Sequence, residues 1–409
     1  MDVELDSQAG EDTDDRARGP LAGLRVLDLS TVVSGPFCTQ VLGDLGARVW
    51  KVEPKFGDTS RRLGPPFRAG LTGFFAHFNR NKRSLALDLK HEDGQRAVRR
   101  LALRADVLVE NWRPGVAERL GLGYEALARE NPKLVYVSIN GFGPDGPYRD
   151  LPAYDTVIQG LAGFMPTQGG DGRPQLVKSI VADKTTALTA VYAVLGGLLA
   201  RERGDGRGQH VHVPMLDAFA AFMLPDVITK EAFKEEDASP PVRIPEIHRT
   251  WDTADGHVVL LILEDHQFQG LCRAIGRDDM IDDPRCANLI TRIVHARELF
   301  AVLEEDLKKW PTEELLERAR HFGAPMAPVH GVKEFLKDPQ VAASGIVVEA
   351  DDGDAGRMRF LRAPVRFERT PATLRHLPPR LGEQSDAILR EAGFADDEIA
   401  KLRAEGVVG

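Results

Sequence analysis

Cysteine is scarce in this chain: Cys38, Cys272 and Cys286 are the only three in 409 residues, and they fall at no metal-ligand spacing. Such low usage fits a reducing compartment, so a cytoplasmic setting is expected, with no metal site. The motifs C-x-x-C, H-E-x-x-H and G-x-S-x-G are all missing. Their absence removes the zinc-hydrolase and serine-hydrolase signatures. Long hydrophobic runs are also lacking. The longest, Ala187 to Ala200, is interrupted by Thr189 and two glycines and is too short to span a bilayer. It reads as a buried helix, and no membrane partner is expected. The N-terminus carries no apolar segment of the secretory kind, so no signal peptide is expected. Excess positive charge is missing too. The net charge is −9, of which residues 1–18 carry −5 through seven acids and two bases. A disordered acidic tail over residues 1–19 on a near-neutral body follows, and a nucleic-acid footprint does not.

What is present is a regular alternation of strand and helix patterns. An apolar content of 43% is that of a globular protein, and 409 residues exceed one ordinary core, so two domains are expected. Leu24–Leu29 has a strand pattern, Ser34-Gly35-Pro36 turns into a helix over Phe37–Leu45, and Ala47–Glu53 is the next strand. That β-α-β unit implies parallel strands and a right-handed crossover. Strand patterns recur at Leu85–Leu89, Asp106–Glu110, Lys133–Ile139 and Gln209–Val213, with a helix over Asp93–Arg104 and helical turns through Arg129. This predicts an open, doubly wound α/β sheet within residues 20–224. Composition shifts near residue 225, and residues 225–247, with Ser239-Pro240-Pro241, read as a linker. Residues 248–330 read as a smaller α+β domain, with a strand at Val258–Leu263 and helices at His266–Ile275, Arg292–Trp310 and Thr312–Phe322. Residues 331–409 return to short strands, turns and a C-terminal helical pair.

Several patterns bear on chemistry. Glu53 follows Gly35 by 18 residues, near the spacing of a ribose-binding acid, but Val32-Val33-Ser34-Gly35-Pro36 holds one glycine where G-x-G-x-x-G needs three. Nicotinamide and flavin binding are therefore not expected. Asn79-Arg80-Asn81-Lys82-Arg83-Ser84 reads as a basic loop, either a solvated cluster or a phosphate-capturing one. Asn111-Trp112-Arg113 sits at the carboxyl end of a strand, where ligands of open α/β sheets bind. With the basic loop it suits an adenine nucleotide with several phosphates. Asp183 precedes the apolar run. It reads either as an N-cap, a common use of aspartate, or as a reactive carboxylate steadied by the helix dipole. Asp155 follows Tyr154, and no histidine occurs between His91 and His210 to pair with it in sequence.

These blocks together resemble the family III CoA-transferases, which include formyl-CoA and carnitine-CoA transferases and the related α-methylacyl-CoA racemases. The resemblance rests on Leu24-Arg25-Val26-Leu27-Asp28, Ser34-Gly35-Pro36, Asn81 to Asp88, Ala105 to Asn111, Gly141 to Tyr148, Pro152-Ala153-Tyr154-Asp155, Gly206-Arg207-Gly208-Gln209 and Met215-Leu216-Asp217-Ala218. It implies a Rossmann-like large domain built from both chain ends, with 331–409 as return linker and C-terminal part. It also implies an inserted small domain and two such chains interlocked as a homodimer. Asp183 aligns with the family's catalytic aspartate. Coenzyme A, as substrate and carrier rather than a tightly bound cofactor, would contact Val32, Leu87, Asn111, Trp112 and Arg119, with Lys55 and Arg83. The implied activity is transfer of CoA from an acyl-CoA to a free carboxylic acid through aspartyl anhydride and aspartyl-CoA thioester intermediates. The alternative is an acyl-CoA epimerase or isomerase. The chain departs from the family twice. Tyr154 stands where the racemases place a histidine, and Gly256 is the only glycine between Arg243 and Leu263, where formyl-CoA transferases carry a glycine run.

Overall fold

A computed structural model describes residues 19–170, 172–228, 231–234 and 247–409. The tail expected over residues 1–19, apart from Gly19, and most of the linker expected over 225–247 lie outside the described residues. The chain divides into two compact units. The first takes the described residues within Met1–Pro166, Pro174–Leu224 and Ala342–Gly409, and the second those within Thr167–Arg173 and Pro225–Val341.

The first unit opens with β1 (Arg25–Asp28), α1 (Ser34–Asp44) and β2 (Arg48–Glu53). A hairpin of β3 (Phe67–Arg68) and β4 (Leu71–Thr72) follows, then α2 (Gly73–Asn79), β5 (Lys82–Ala86) and α3 (Glu92–Ala102). Next come β6 (Val107–Glu110), α4 (Val116–Arg119), α5 (Tyr124–Glu130), β7 (Val135–Asn140) and α6 (Asp155–Leu161). After α7 (Met165–Gly169) the unit continues with α8 (Val181–Arg203), β8 (His210–Pro214) and α9 (Met215–Met223).

Six strands form one parallel sheet in the order β5-β2-β1-β6-β7-β8. Residues alternate between its two faces, as strands covered on both sides require. Leu27, Leu29, Trp50, Leu85 and Leu108 join one core, and Val26, Val49, Val107, Val135 and Val137 join the other. The chain leaves β1 toward β2 and β5, then crosses back to β6. The loops after β1 and β6 therefore diverge, which opens the crevice where doubly wound sheets bind ligands. The fifth strand begins three residues before the Leu85–Leu89 expectation, because Lys82 and Ser84 are buried and paired with β2 rather than looped into solvent.

In the second unit β9 (Thr250–Asp252), β10 (His257–Leu260) and, later in the chain, β11 (Met326–Pro328) form an antiparallel sheet. With it, α10 (Asp265–Ile275), α12 (Ala296–Leu307) and α13 (Thr312–Phe322) build a core including Trp251, Leu271, Leu303 and Leu315, and the unit also contains α11 (Leu289–Val294) and α14 (Val332–Phe335). The single helix expected over Arg292–Trp310 is broken at His295, whose backbone leaves helical geometry at φ −96°, ψ 15°. After α15 (Pro339–Ser344), β12 (Val347–Asp351) pairs with β13 (Arg357–Leu361), and α16 (Ser385–Glu391) and α17 (Asp396–Ala404) pack Ile388, Leu389, Ile399 and Leu402 onto the first core. Among the described residues no helix is long and apolar enough to cross a membrane.

Candidate active site

Asp183 is the third residue of α8, and its side chain does not cap that helix. The free N–H groups of the first turn need an acceptor, and Asp155, the first residue of α6, supplies it. Ala182 N–H and Asp183 N–H donate to Asp155 Oδ2 at 2.7 and 3.1 Å. Gln159 Nε2 donates to Asp155 Oδ1 at 2.6 Å, and Gln159 Oε1 accepts from Val177 N–H at 3.0 Å. The preceding loop is thereby fixed to α6. A carboxylate from one helix caps another, and the carboxylate that local sequence would assign to capping is left for other work. Asp183 is pushed up to about 6 by burial first and by the negative charge of Asp155 second. Ser34, at the start of α1, opposes that rise through its hydroxyl and N–H.

The loop after β1 brings Ser34 there. Its backbone is held almost group by group. Asp28 Oδ1 accepts from Ser30 N–H at 3.0 Å, and Lys51 Nζ donates to Ser30 O at 3.0 Å. Asn111 spans the crevice between β1 and β6: its Oδ1 accepts from Thr31 N–H and its Nδ2 donates to Thr31 O, both at 2.8 Å. Val32 adopts φ +70°, a costly region for a β-branched residue. The Asp58 carboxylate accepts its N–H at 3.2 and 3.3 Å. Lys82 Nζ donates to Pro36 O at 2.8 Å and pairs with Asp28 at 2.9 Å. Gly35 is required by close approach, since a Cβ there would lie 2.2 Å from Ser30 Cβ.

Three acids and three bases, Asp28, Glu53, Asp58, Lys51, Lys82 and Arg61, are buried under this turn and balance in charge. Burial alone would raise Asp28, but Lys82 and Lys51 overcome it and hold the carboxyl far below its usual range. Burial pushes Lys82 down to about 8 against the pull of Asp28. Lys51, also opposed by burial, is raised by Asp58 and Asp28. Arg61 meets Glu53 through two hydrogen bonds of 2.7 Å. Buried charges are tolerated when each is paired and hydrogen-bonded, and here the pairing fixes the turn.

The residues that the resemblance gives to CoA separate into groups. Val32 and Asn111 meet at the crevice through the Thr31 clasp. Trp112 follows them, half-buried against the first core, and its N–H donates to Glu110 Oε2 at 2.8 Å. Burial pushes Glu110 up to about 7 despite that donor and Ser138. Leu87, fully buried, can present only backbone, and its N–H is used by Glu53 O at 2.8 Å. Lys55 Nζ donates to Gly406 O at 2.5 Å and lies 4.0 Å from Asp88, with its side chain 42% exposed. Arg119 is exposed on α4. Arg83 stands elsewhere: level with Trp50 in the sheet, it pairs with Glu391 of α16.

In the Asn79–Ser84 run, Arg80 pairs with buried Asp44, Lys82 with buried Asp28 and Arg83 with half-buried Glu391, so each of these cations already has a carboxylate partner. Sequence reasoning missed Ser34, Asp58 and Gln159 as parts of the site. Ser34 stood in a quoted block, and its place at a helix start beside the glycine-proline turn was the available signal. Asp58 and Gln159 carry no local signal.

A sequence model of CoA-transferase family III matches residues 21–385. The chain belongs to CoA-transferase family III. It is 36% identical over 386 residues to a succinate–glutarate CoA-transferase of Agrobacterium fabrum, covering 91% of this chain and 95% of that protein. It is 32% identical over 411 residues to a formyl-CoA:oxalate CoA-transferase of Escherichia coli, covering 94% of this chain and 98% of that one. Among solved structures, a CAIB/BAIF family protein from Brucella suis superposes with a TM-score of 0.80 at 35% identity, covering 91% of this chain and 99% of that one.

Proposed function

We propose that this chain transfers CoA from an acyl-CoA donor to a free carboxylic acid, with Asp183 as nucleophile. The observation that carries the reading is the division of labour at α8: Asp155 caps the helix, and the Asp183 carboxylate, beside the Ser34 donors, does not. The named relatives act between an acyl-CoA and a carboxylate, and the same class of donor and acceptor is assigned here.

In the proposed sequence an Asp183 oxygen attacks the thioester carbonyl, the C–S bond breaks, and CoA leaves as thiolate with that electron pair. The mixed anhydride is then attacked at the aspartyl carbonyl by the thiolate, which releases the donor acid as carboxylate and leaves an aspartyl-CoA thioester. The acceptor carboxylate attacks that thioester to form a second anhydride and frees the thiolate again. Attack of the thiolate on the acceptor carbonyl yields the new acyl-CoA and returns Asp183 as carboxylate. No proton is consumed, and the thioester energy is conserved as long as water is kept out. The loops after β1 and β6 receive the CoA, with Val32 and Leu87 offering backbone, Lys55 and Arg119 charge, and Trp112 an indole face. Asn111 serves by holding the turn. Arg83, paired with Glu391, would reach the CoA only by giving up that partner. The assembly in this reading is an interlocked homodimer.

The epimerase reading is not favoured. Asp155 spends its carboxylate on α8 and Gln159, and its sequence neighbour Tyr154 is 70% exposed. The test incubates the protein with succinyl-CoA, acetyl-CoA or formyl-CoA, each against a panel of carboxylic acids, and follows product mass. Hydroxylamine is added during turnover and the protein digested. The expected result is acceptor-dependent acyl-CoA formation, a hydroxamate at Asp183, and loss of at least 1,000-fold in activity in Asp183→Asn, on the order expected when a covalent nucleophile is removed. Near-normal turnover by Asp183→Asn would end the assignment.

A further inference from the structure

The loop between β1 and α1 is held by side chains rather than by backbone pairing. Lys51 of β2 donates to Ser30 O at 3.0 Å, and Asn111 takes both backbone groups of Thr31 at 2.8 Å. Asp58 takes the next one: its two carboxylate oxygens accept from Val32 N–H at 3.2 and 3.3 Å. Val32 stands at φ +70° and is the one β-branched residue with a positive φ among the described residues. A branched side chain enters that region only when its surroundings hold it there, and such outliers cluster where ligands are clamped. Asp58 also caps the helical turn Thr59–Arg62 through Ser60 N–H at 2.9 Å, the ordinary use of an aspartate. That duty needs one oxygen and tolerates an exposed position. Asp58 is instead 1% exposed, with Lys51 Nζ 3.0 Å from Oδ2, Ser60 Oγ 2.7 Å from Oδ1, and its own N–H on Glu53 Oε2 at 3.0 Å. A carboxylate fixed on several sides is thus aimed at the strained residue of the loop.

We propose that Asp58 is a positioning residue for coenzyme A: it holds Val32 in the left-handed conformation in which the turn after β1 offers its backbone to the ligand. The inference deepens the proposed function and rests on its placement of CoA against Val32. Two effects oppose each other at this residue. The steric cost at Val32 favours a relaxed loop with negative φ, and the bond to Asp58 favours the loop as it stands. Without that acceptor the relaxed form gains population. The apparent affinity of a ligand that binds only the competent form then falls by the fraction of that form that remains. Steps after binding are little affected, because bound CoA itself selects the competent loop. Asp58 touches no reacting atom. A glycine would need no such support, since it enters the left-handed region without steric cost.

The test reads Asp58→Ala in two backgrounds, wild type and Val32→Gly, by calorimetric binding of free CoA and by steady-state kinetics with acyl-CoA. Circular dichroism and thermal unfolding establish that each protein is folded. Asp58→Asn, which keeps the side-chain shape beside Lys51, takes the place of Asp58→Ala in both backgrounds if the smaller residue does not fold. With Val32 present, the Kd for CoA and the KM for acyl-CoA are expected to rise about tenfold, as when the competent loop falls to a tenth of the population, with kcat held within about threefold. In the Val32→Gly background the same substitution is expected to raise the Kd by less than about threefold, because the competent loop no longer carries a steric cost. Equal rises in the two backgrounds would show that Asp58 supports the fold generally, and would overturn the proposal. A Kd that does not move with Val32 present, with or without a fall in kcat, overturns it as well. Either result leaves Asp183 standing as nucleophile. A wild type that binds no CoA overturns this proposal together with the placement of CoA against the turn.

Discussion

At Asp183, burial and the Asp155 charge push the carboxyl up to about 6, with only the Ser34 donors opposing. Two consequences follow at this residue. The folded pKa lies above the unfolded one, so this group's contribution to stability is complete below about pH 4 and is lost as pH rises through about 6. Asp183→Asn, inactive as a transferase, is therefore expected to be more stable than wild type at pH 8, by about 1–2 kcal/mol, and to show no gain at pH 4. Urea unfolding at the two pH values reads the difference, and equal gains at both would place its origin elsewhere. The neighbouring test is Asp155→Asn. An amide oxygen still accepts at the start of α8, but the amide nitrogen replaces the oxygen that accepts from Gln159 Nε2, so stability is expected to fall by about 1–3 kcal/mol. The negative charge is gone, so the acid limb of kcat/KM is expected to move down by roughly half to one pH unit. A limb that stays in place would mean that Asp155 acts on Asp183 through geometry alone.

At the scale of elements, the turn between β1 and α1 is the feature on which the site depends, and its support comes from three strands, β1, β2 and β5, and from the segments that follow β2 and β6. Lys82→Met keeps the length of the side chain and leaves Asp28 buried with its closest ion-pair partner gone. Breaking a buried pair this way costs about 3–5 kcal/mol. Combining it with Asp28→Asn is expected to recover a large part of that loss, which thermal unfolding of the single and double variants would show; purely additive losses would contradict the coupling. The same network marks the limit of what was legible in the sequence. The β-α-β alternation was readable because β1, β2, β6 and β7 carry apolar residues on both faces, and β1, β2, β6, β7 and β8 lie within one or two residues of the expected bounds. The run Asn79–Ser84 was not readable, because its cations are cancelled by Asp44, Asp28 and Glu391, which are remote in the chain. Asp183 was found through the blocks around it. The facts that free it for chemistry, an acceptor 28 residues upstream and the opposing influence of Ser34, exist only once α1, α6 and α8 meet.

On the scale of the whole molecule, the first compact unit is assembled from three separated stretches of chain. Val407 O accepts from Asp88 N–H at 2.9 Å, and Gly409 N–H donates to Ala86 O at 3.0 Å. The last residues are thus stitched to the strand that begins at Lys82, and the intervening chain must leave the unit and return to it. A second chain passing through such a loop would be trapped once both termini dock, which is the physical content of an interlocked homodimer. Threaded chains separate only if a terminus undocks, and undocking exposes Ile388, Leu389, Ile399, Leu402 and Val407 from the first core. Separation is therefore expected to coincide with unfolding. Two preparations with different fluorescent labels, mixed under native conditions, are expected to show no energy transfer from subunit exchange over days, and to exchange fully after denaturation and refolding. Exchange within hours at full helical content, or a folded monomer on dilution in sedimentation, would show that the chains pack against each other without threading. That outcome would leave the chemistry at Asp183 untouched, because its cap and its donors come from the same chain.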